Sequence, residues 1–368
     1  MRLLPASVDW RIPPKECILF QIMDYLSPPP TDPTPIFEHF RGSYGSELLT
    51  AAVEHFSVFE RLHDRSMSFD DLRQELQLER RPAVVLFTAL RAMQLLELDR
   101  AGRYRVTELA RDHLVPNGEY FVGDYLGLAA QSPGVLEMVA RLQSNRPAHA
   151  EPADSGAAFI YREGKKSAME EEASARRLTL ALAGRAKNVA PVLAERLSFD
   201  GGTLLDVGGG SGIYSIACLR RNPQLHAIVF DRQEVLKVAS EFAVQYGVAD
   251  RLHLVPGDMF ADPIPSADRI LLSNILHDWD EPECQELVSR CAAALPGGGQ
   301  LIVHDVFLND NHDGPLPVAL YSAALFTLTE GRAYSAAEFK TWLKNAGLVP
   351  GEIQPTLIHC GVLTGVKP

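Results

Sequence analysis

The chain has 368 residues, 46% of them apolar and 22% charged, with a net charge of −12. Such a composition is ordinary for a globular protein, and the length suits two domains, each large enough for its own core. The acidic balance argues against nucleic acid or an anionic membrane as the main partner, because both call for a basic face.

Residues 1–35 contain "LSPPPTDPTP", too proline-rich for a regular element, and read as an extended arm. The stretch "MRLLPASVDWRIPP" lacks the long apolar run of a signal peptide, and no run of about 18 apolar residues marks a membrane span. Five cysteines (Cys17, Cys218, Cys284, Cys291, Cys360) form no C-x-x-C pair, which fits a reducing cytoplasm better than a disulfide framework.

Residues 36–118 read as helices followed by a hairpin. "SFDDLRQELQL" opens with a serine followed by acids, an N-cap pattern. "RPAVVLFTALRAMQLLEL" is a strongly apolar helix, and "LELDRAGRYRVTELA" is two short strands around "DRAG". Helices followed by such a hairpin make a winged helix. DNA binding is disfavoured: residues 60–112 hold ten Arg and ten Asp or Glu, without the basic excess of a DNA-reading wing. The apolar helix fits a buried or dimer-facing role instead. Residues 119–195 read as a helical connector contributing to the substrate site, interrupted by "NRPAHAEPADSG". Within it, "MEEEASARR" reads as a solvated face.

From 196 to 368 strand and helix patterns alternate, which implies an α/β, Rossmann-like, mainly parallel sheet. Ser335 and Glu338 have capping-box spacing. Ligands on such sheets bind beyond the carboxyl ends of the strands. There "LLDVGGGSGIYS" runs a buried strand into a glycine turn and a helix N-terminus, where the backbone can turn sharply and a ligand can approach closely. The spacing Gly208-x-Gly210-x-Gly212 is not the dinucleotide G-x-G-x-x-G, and no P-loop Lys follows. The D-x-G-x-G-x-G pattern looks like an S-adenosylmethionine (SAM) site. Asp206 is placed for the amino-acid end of that cofactor. Asp231 closes the second strand and suits the ribose hydroxyls, as an acceptor-only group. Asp258 closes the third and suits the adenine amino group, with Met259 as an apolar wall. Ser273, at the end of the fourth strand, completes the set at this sheet edge.

The motifs "LLDVGGGSG", "IVFD", "GDMF", "LHDWDEPEC" and "ALPGGGQLIVHD" together resemble the SAM-dependent O-methyltransferases of the plant and bacterial phenolic type. The resemblance spans roughly residues 36–365. It implies a class I methyltransferase domain with a seven-stranded sheet and an N-terminal winged-helix domain that forms a homodimer. It implies a metal-independent enzyme acting on a small aromatic hydroxyl, phenolic or polyketide-like. By resemblance the histidine of the H-D-W motif, His277, is the general base, Trp279 lies near the adenine, and Asp305 flanks the base. A second flanking acid, the glutamate of a G-x-E-R-T/S stretch, is absent: here the stretch is "GRAYS", with Ala333 in its place. That departure leaves open a family relative that binds SAM but hydroxylates or decarboxylates. A SAM-sensing winged-helix regulator is the alternative of another class. The helix "VALYSAALFTLTE" falls where the acceptor pocket of the family forms, which makes Tyr321 and Phe326 candidate acceptor contacts. His304 reads as a satisfied core residue, since a strand alternates faces beside Asp305.

Overall fold

A computed structural model describes residues 26–146 and 172–368. Most of the proposed arm and most of "NRPAHAEPADSG" lie outside the described residues. Helix α1 (Thr34–Arg41) starts as the proline run ends, with Pro35 in its first turn, where a fixed φ and a missing N–H cost nothing. It leads into α2 (Ser43–Thr50), a wide turn over 51–55, α3 (Val58–Arg61), α4 (Phe69–Glu75) and α5 (Arg80–Ala92). Ser68 caps α4 by accepting the Asp71 N–H at 3.1 Å. Strands β1 (Leu96–Leu98) and β2 (Tyr104–Val106) pair antiparallel as the expected wing. Helices α6 (Glu108–Leu114), α7 (Gly123–Gly127) and α8 (Pro133–Ser144) follow.

Phe59, Leu72, Leu86, Phe87 and Leu90 form the centre of the N-terminal core. Residues Ala83 to Leu90 of α5 are all buried within this one chain, so that helix offers no apolar stripe to a second copy. Val135, Met138 and Leu142 of α8, from the segment read as a connector, join the same core.

Helix α9 (Glu172–Arg196) leads into the sheet. The alternation is then β3 (Gly202–Val207), α10 (Ile213–Arg221), β4 (Leu225–Asp231), α11 (Gln233–Gln245), β5 (Leu252–Pro256), β6 (Arg269–Ser273), α12 (Glu281–Ala294), β7 (Gln300–Leu308) and α13 (Leu316–Leu328). The two-residue strand β8 (Tyr334–Ser335), α14 (Ala336–Asn345), β9 (Val349–Pro350), β10 (Gln354–Pro355) and β11 (Cys360–Val366) complete it. Sheet order is β10-β11-β7-β6-β3-β4-β5, with β8 and β9 as short additions beside β7 and β11. The strands from β3 to β7 run parallel, whereas β11 returns antiparallel against β7. Near-continuous apolar runs such as "ILLS" and "LIVHDV" follow from burial on both faces. One face packs α9, α10 and α11; the other packs α12 and α14.

Helix α13 crosses between the two units. Its Ala323 and Phe326 sit in the N-terminal core, while its Val318 and Ala319 pack with Val306 of β7. The chain returns to its N-terminal unit after building the sheet, and a division by sequence position alone does not show this.

Candidate active site

The carboxyl ends of β3 to β7 gather the motif residues at one edge. Val207 ends β3, and Gly208, Gly210 and Gly212 all take positive φ, at 66°, 59° and 70°. Only glycine adopts such a run without strain. A Cβ at Gly208 would sit 2.6 Å from Ile275 Cδ1, whereas one at Gly210 would meet nothing within 4 Å. The loop therefore packs against its neighbours at one glycine and opens to a ligand at the other. Gly212 then caps α10, whose amides point back at this edge.

Each acid has a defined place. Asp206 is fully buried, accepts Ser215 Oγ–H on Oδ2 at 2.8 Å, and leaves Oδ1 without a partner. Burial pushes its pKa up to about 7. Asp231 accepts the Gly210 N–H at 2.8 Å and its neighbour's N–H at 2.6 Å, which ties the end of β4 to the glycine loop. Asp258 accepts the Phe260 N–H at 2.8 Å and pairs with Arg232 at 3.0 Å, so both of its oxygens already have partners. Met259 reaches the glycine loop, with Sδ 3.8 Å from where a Gly208 Cβ would stand. Trp279 is buried edge-on against Phe260, ring centroids 4.8 Å apart. Ser273 is engaged within the protein: its Oγ bonds His304 Nδ1 at 2.9 Å and accepts from Asn274 Nδ2 at 3.1 Å. His304 also meets Thr356 at 3.1 Å, and burial depresses its pKa to about 3, so it is a neutral structural link.

His277 lies in a short 3₁₀ turn (Leu276–Asp278) after β6 and is buried. Its Nδ1 stands 2.6 Å from Asp305 Oδ1, near the end of β7. Asp305 Oδ1 also accepts the Val306 N–H at 2.8 Å. A carboxylate there makes Nδ1 the protonated nitrogen and leaves Nε2 free to accept. Asp278, which no spacing argument singled out, puts Oδ1 3.7 Å from Nε2. Burial alone would lower the imidazolium pKa, but Asp305 and then Asp278 outweigh it and hold His277 above its ordinary value. Burial also pushes the Asp278 carboxyl up to about 6.

The "GRAYS" stretch braces this turn from behind. Glu330 donates its N–H to Asp278 O at 3.2 Å, and Tyr334 Oη donates to Trp279 O at 2.6 Å. A Cβ at Gly331 would lie 2.2 Å from His277 O, so the two backbones touch. Arg332, buried, holds Glu281 at 2.8 Å and Glu338 at 2.6 Å. Ala333 is fully buried among Val306, Leu308 and Val318. The second acid beside His277 therefore comes from the adjacent residue in sequence.

The two acceptor candidates part ways. Tyr321 lies edge-on to His277, centroids 5.6 Å apart. Phe326 sits in the N-terminal core beneath Arg81, whose Cζ is 4.7 Å from its ring. One helix carries both, and its two ends serve different cores. Two arginines were not foreseen: Arg41 of α1 stacks over Tyr321 at 3.5 Å, and Arg185 of α9 reaches Asn274 Oδ1 at 2.9 Å and Cys360 Sγ at 3.1 Å. A lone arginine on a helix gives no signal until the fold shows what it faces.

A Rossmann-like sheet with a glycine turn, three acids at strand ends and a paired histidine at the same edge defines a class I methyltransferase. Residues 167–349 match the family model described as an O-methyltransferase domain. The chain is 34% identical over 343 residues to the 3-hydroxy-5-methyl-1-naphthoate 3-O-methyltransferase of Streptomyces sahachiroi, covering 91% of this chain and 95% of that one. It is 29% identical to the tetracenomycin polyketide synthesis 8-O-methyl transferase TcmO of Streptomyces glaucescens, covering 83% and 88%. An O-methyltransferase family 2 protein from Planctomyces limnophilus, solved in complex with apigenin, superposes with a TM-score of 0.84 at 47% identity, covering 94% of this chain and 99% of that one. The chain belongs to this O-methyltransferase family and is a SAM-dependent O-methyltransferase. The residues present fit the cofactor: the orphaned Asp206 Oδ1 is an acceptor awaiting a donor, and the open face of Gly210 admits a ligand against the backbone.

Proposed function

We propose that the acceptor is the hydroxyl of a small aromatic, phenolic or polyketide-like molecule, and that His277 is its general base. The observation that carries this is the buried Asp305–His277 pair at 2.6 Å, on the same sheet edge as the glycine loop. Bound SAM would supply an electrophilic sulfonium methyl. His277 Nε2 takes the hydroxyl proton as the acceptor oxygen becomes nucleophilic. Asp305 fixes the tautomer and stabilises the imidazolium that forms. Asp278 adds a second carboxyl on the Nε2 side, which offsets the alanine at 333 and weakens the case for non-methyltransfer chemistry. Leu276, Trp279 and Cys284 close the turn on its core side, away from water. Much of the rate comes from holding the hydroxyl in line at near-attack distance. The naphthoate-, tetracenomycin- and apigenin-related names of the relatives support an aromatic acceptor.

Asp206, the glycine loop, Asp231 and Met259 would hold the cofactor, with Trp279 and Asp258 flanking the adenine end. Ser273 would act through the His304 link. The test is methylated product by mass spectrometry from SAM and hydroxylated aromatics, compared with His277→Ala.

Homodimerisation through the N-terminal unit belongs to the same reading. Ile36 and Phe40 of α1, with Tyr125 and Leu128, stand exposed. Exposed apolar side chains such as these are surface that an interface would bury. Light scattering at micromolar concentration is expected to give twice the 40.5 kDa chain mass, and the chain mass alone would refute it. Among the described residues no helix is long and apolar enough to cross a membrane.

A further inference from the structure

Near His277 the described residues bring together two arginines, Arg41 and Arg185, that make no ion pair among those residues. Arg41 is only 6% exposed, and its guanidinium stacks over Tyr321 at 3.5 Å and near Phe37 at 5.5 Å. Arg185 approaches the same place from α9. Its contacts, Asn274 Oδ1 and Cys360 Sγ, are uncharged, and its Nε is buried with no partner. Burial pushes the Tyr321 and Tyr214 phenols up to about 12 and raises the Cys360 thiol, so none of these neighbours is an anion at neutral pH. Among the described residues no carboxylate pairs with either arginine; of the buried arginines, Arg332 and Arg141 each have a glutamate, and Arg81 bonds Asn145 and the carbonyls of Thr329 and Gly331.

Placing a guanidinium out of water with no anion is costly, and a second cation nearby makes it costlier. Tyr321 alone does not offset that, because a cation over a phenol ring gains little compared with a charge-assisted hydrogen bond. Asp305 and Asp278 at this place stand on His277, and neither makes an ion pair with the two guanidiniums, which leaves their donors for an incoming anion. One phenol ring separates Arg41 from the base, so an anionic group there could belong to a molecule whose hydroxyl reaches His277.

We propose that Arg41 and Arg185 form a carboxylate-binding pair beside His277, and that the acceptor is a hydroxy-aromatic acid, its carboxylate held by the guanidiniums while its hydroxyl faces the base. This deepens the proposed function and rests on it for the position of the reacting hydroxyl. The fork of a guanidinium matches two carboxylate oxygens, and Arg185 Nε is the donor left over for it. The methyl donor also carries a carboxylate at its amino-acid end, so the test has an arm for each source.

The acceptor arm uses protein saturated with S-adenosylhomocysteine, so that the donor site is filled. Calorimetric titration compares 3-hydroxy-1-naphthoate, 3-hydroxy-2-naphthoate and 4-hydroxybenzoate with their carboxamides. The wild type is expected to bind at least one acid about 10- to 150-fold more tightly than its amide, the range of a hydrogen bond to a charged group. Arg41→Met and Arg185→Gln should each drive that ratio towards one, and Arg185→Lys should keep part of it. The same preference for every amide as for its acid in the wild type, or equal weakening of acid and amide in the variants, overturns the proposal. The donor arm compares S-adenosylhomocysteine with 5′-methylthioadenosine, which lacks the amino-acid end. If the variants erase that difference and leave the acid-to-amide ratio alone, the carboxylate is the donor's and the acceptor assignment falls. Acid preference that persists while no acceptor is methylated would keep the arginine pair and sink the base assignment instead.

Discussion

Replacing Asp305 by Asn probes the base most sharply, because it keeps size and removes charge. Asp305 is buried and its Oδ1 lies 2.6 Å from His277 Nδ1. A hydrogen bond to a charged partner contributes about 1.5–3 kcal/mol. At about 1.4 kcal/mol per pKa unit, losing it lowers the imidazolium pKa by about 1–2 units. His277 is held above its ordinary value, so it is protonated and inactive as a base below that raised pKa and gains activity as pH rises through it. In Asp305→Asn the acid limb of kcat/KM against pH should therefore move to lower pH by that amount. The plateau should also fall, by about 10²- to 10⁴-fold, because an amide can donate to Nδ1 and leave the proton on Nε2, the wrong tautomer for a base. The assay is product formation from SAM and a hydroxynaphthalene across pH 5–10, with circular dichroism to confirm the fold. An unmoved limb with an unchanged plateau would falsify the assignment of Asp305 as the group that orients His277.

Asp278→Asn should shift the same limb downward by less than Asp305→Asn, since Asp278 stands at 3.7 Å rather than 2.6 Å; a shift upward would contradict its role as a stabilising charge. Gly331→Ala forces a methyl against His277 O, and strain of that kind costs about 1–3 kcal/mol; thermal unfolding should show a lower midpoint, and an unchanged midpoint with unchanged kcat would show that the two backbones do not touch. Gly210→Ala keeps the fold, as nothing lies within 4 Å, but its positive φ and lost ligand face should weaken S-adenosylhomocysteine binding in calorimetry, and unaltered affinity would move the cofactor elsewhere. Arg332→Met strips the cation from Glu281 and Glu338, and breaking such a pair costs about 3–5 kcal/mol when both partners are buried; with both glutamates partly exposed a value near the lower end is expected from urea unfolding, and no loss would mean that the pair is not what locks α12 to α14.

The sheet was legible because its physics is local. Buried parallel strands demand apolar runs such as "LLDV" and "ILLS", and glycines at positive φ must lie where the backbone turns towards a ligand. The wing was legible from "DRAG" between two short strands, and the capping box at Ser335 formed as its spacing requires. The His277–Asp305 pair came from motif resemblance, and the sheet register explains it: β6 and β7 are parallel neighbours, so a residue just past one meets a residue near the end of the other. What stayed hidden depends on contacts distant in sequence. Asp278 sat in plain view beside His277, but its carboxyl direction is set by the turn. Arg41 and Arg185 lie 144 positions apart in the chain; Arg41 matters because α13 brings Tyr321 between it and the base, and Arg185 because it reaches Asn274, just past β6. Phe326 shared a helix with Tyr321 and an aromatic ring, yet five positions on it faces another core. Ser273 lay at the right sheet edge with its hydroxyl committed to His304.

The central claim is methyl transfer to an aromatic hydroxyl with His277 as base, and single-turnover kinetics with SAM labelled in its methyl group tests it most directly. Wild type mixed with SAM and a hydroxynaphthoate should carry label into an O-methylated product, with S-adenosylhomocysteine formed in equal amount. His277→Ala should bind SAM as tightly and transfer label about 10²- to 10⁴-fold more slowly. Equal transfer by both proteins would leave proximity as the main catalyst and remove the base; product that is altered but unlabelled would contradict methyl transfer to that acceptor.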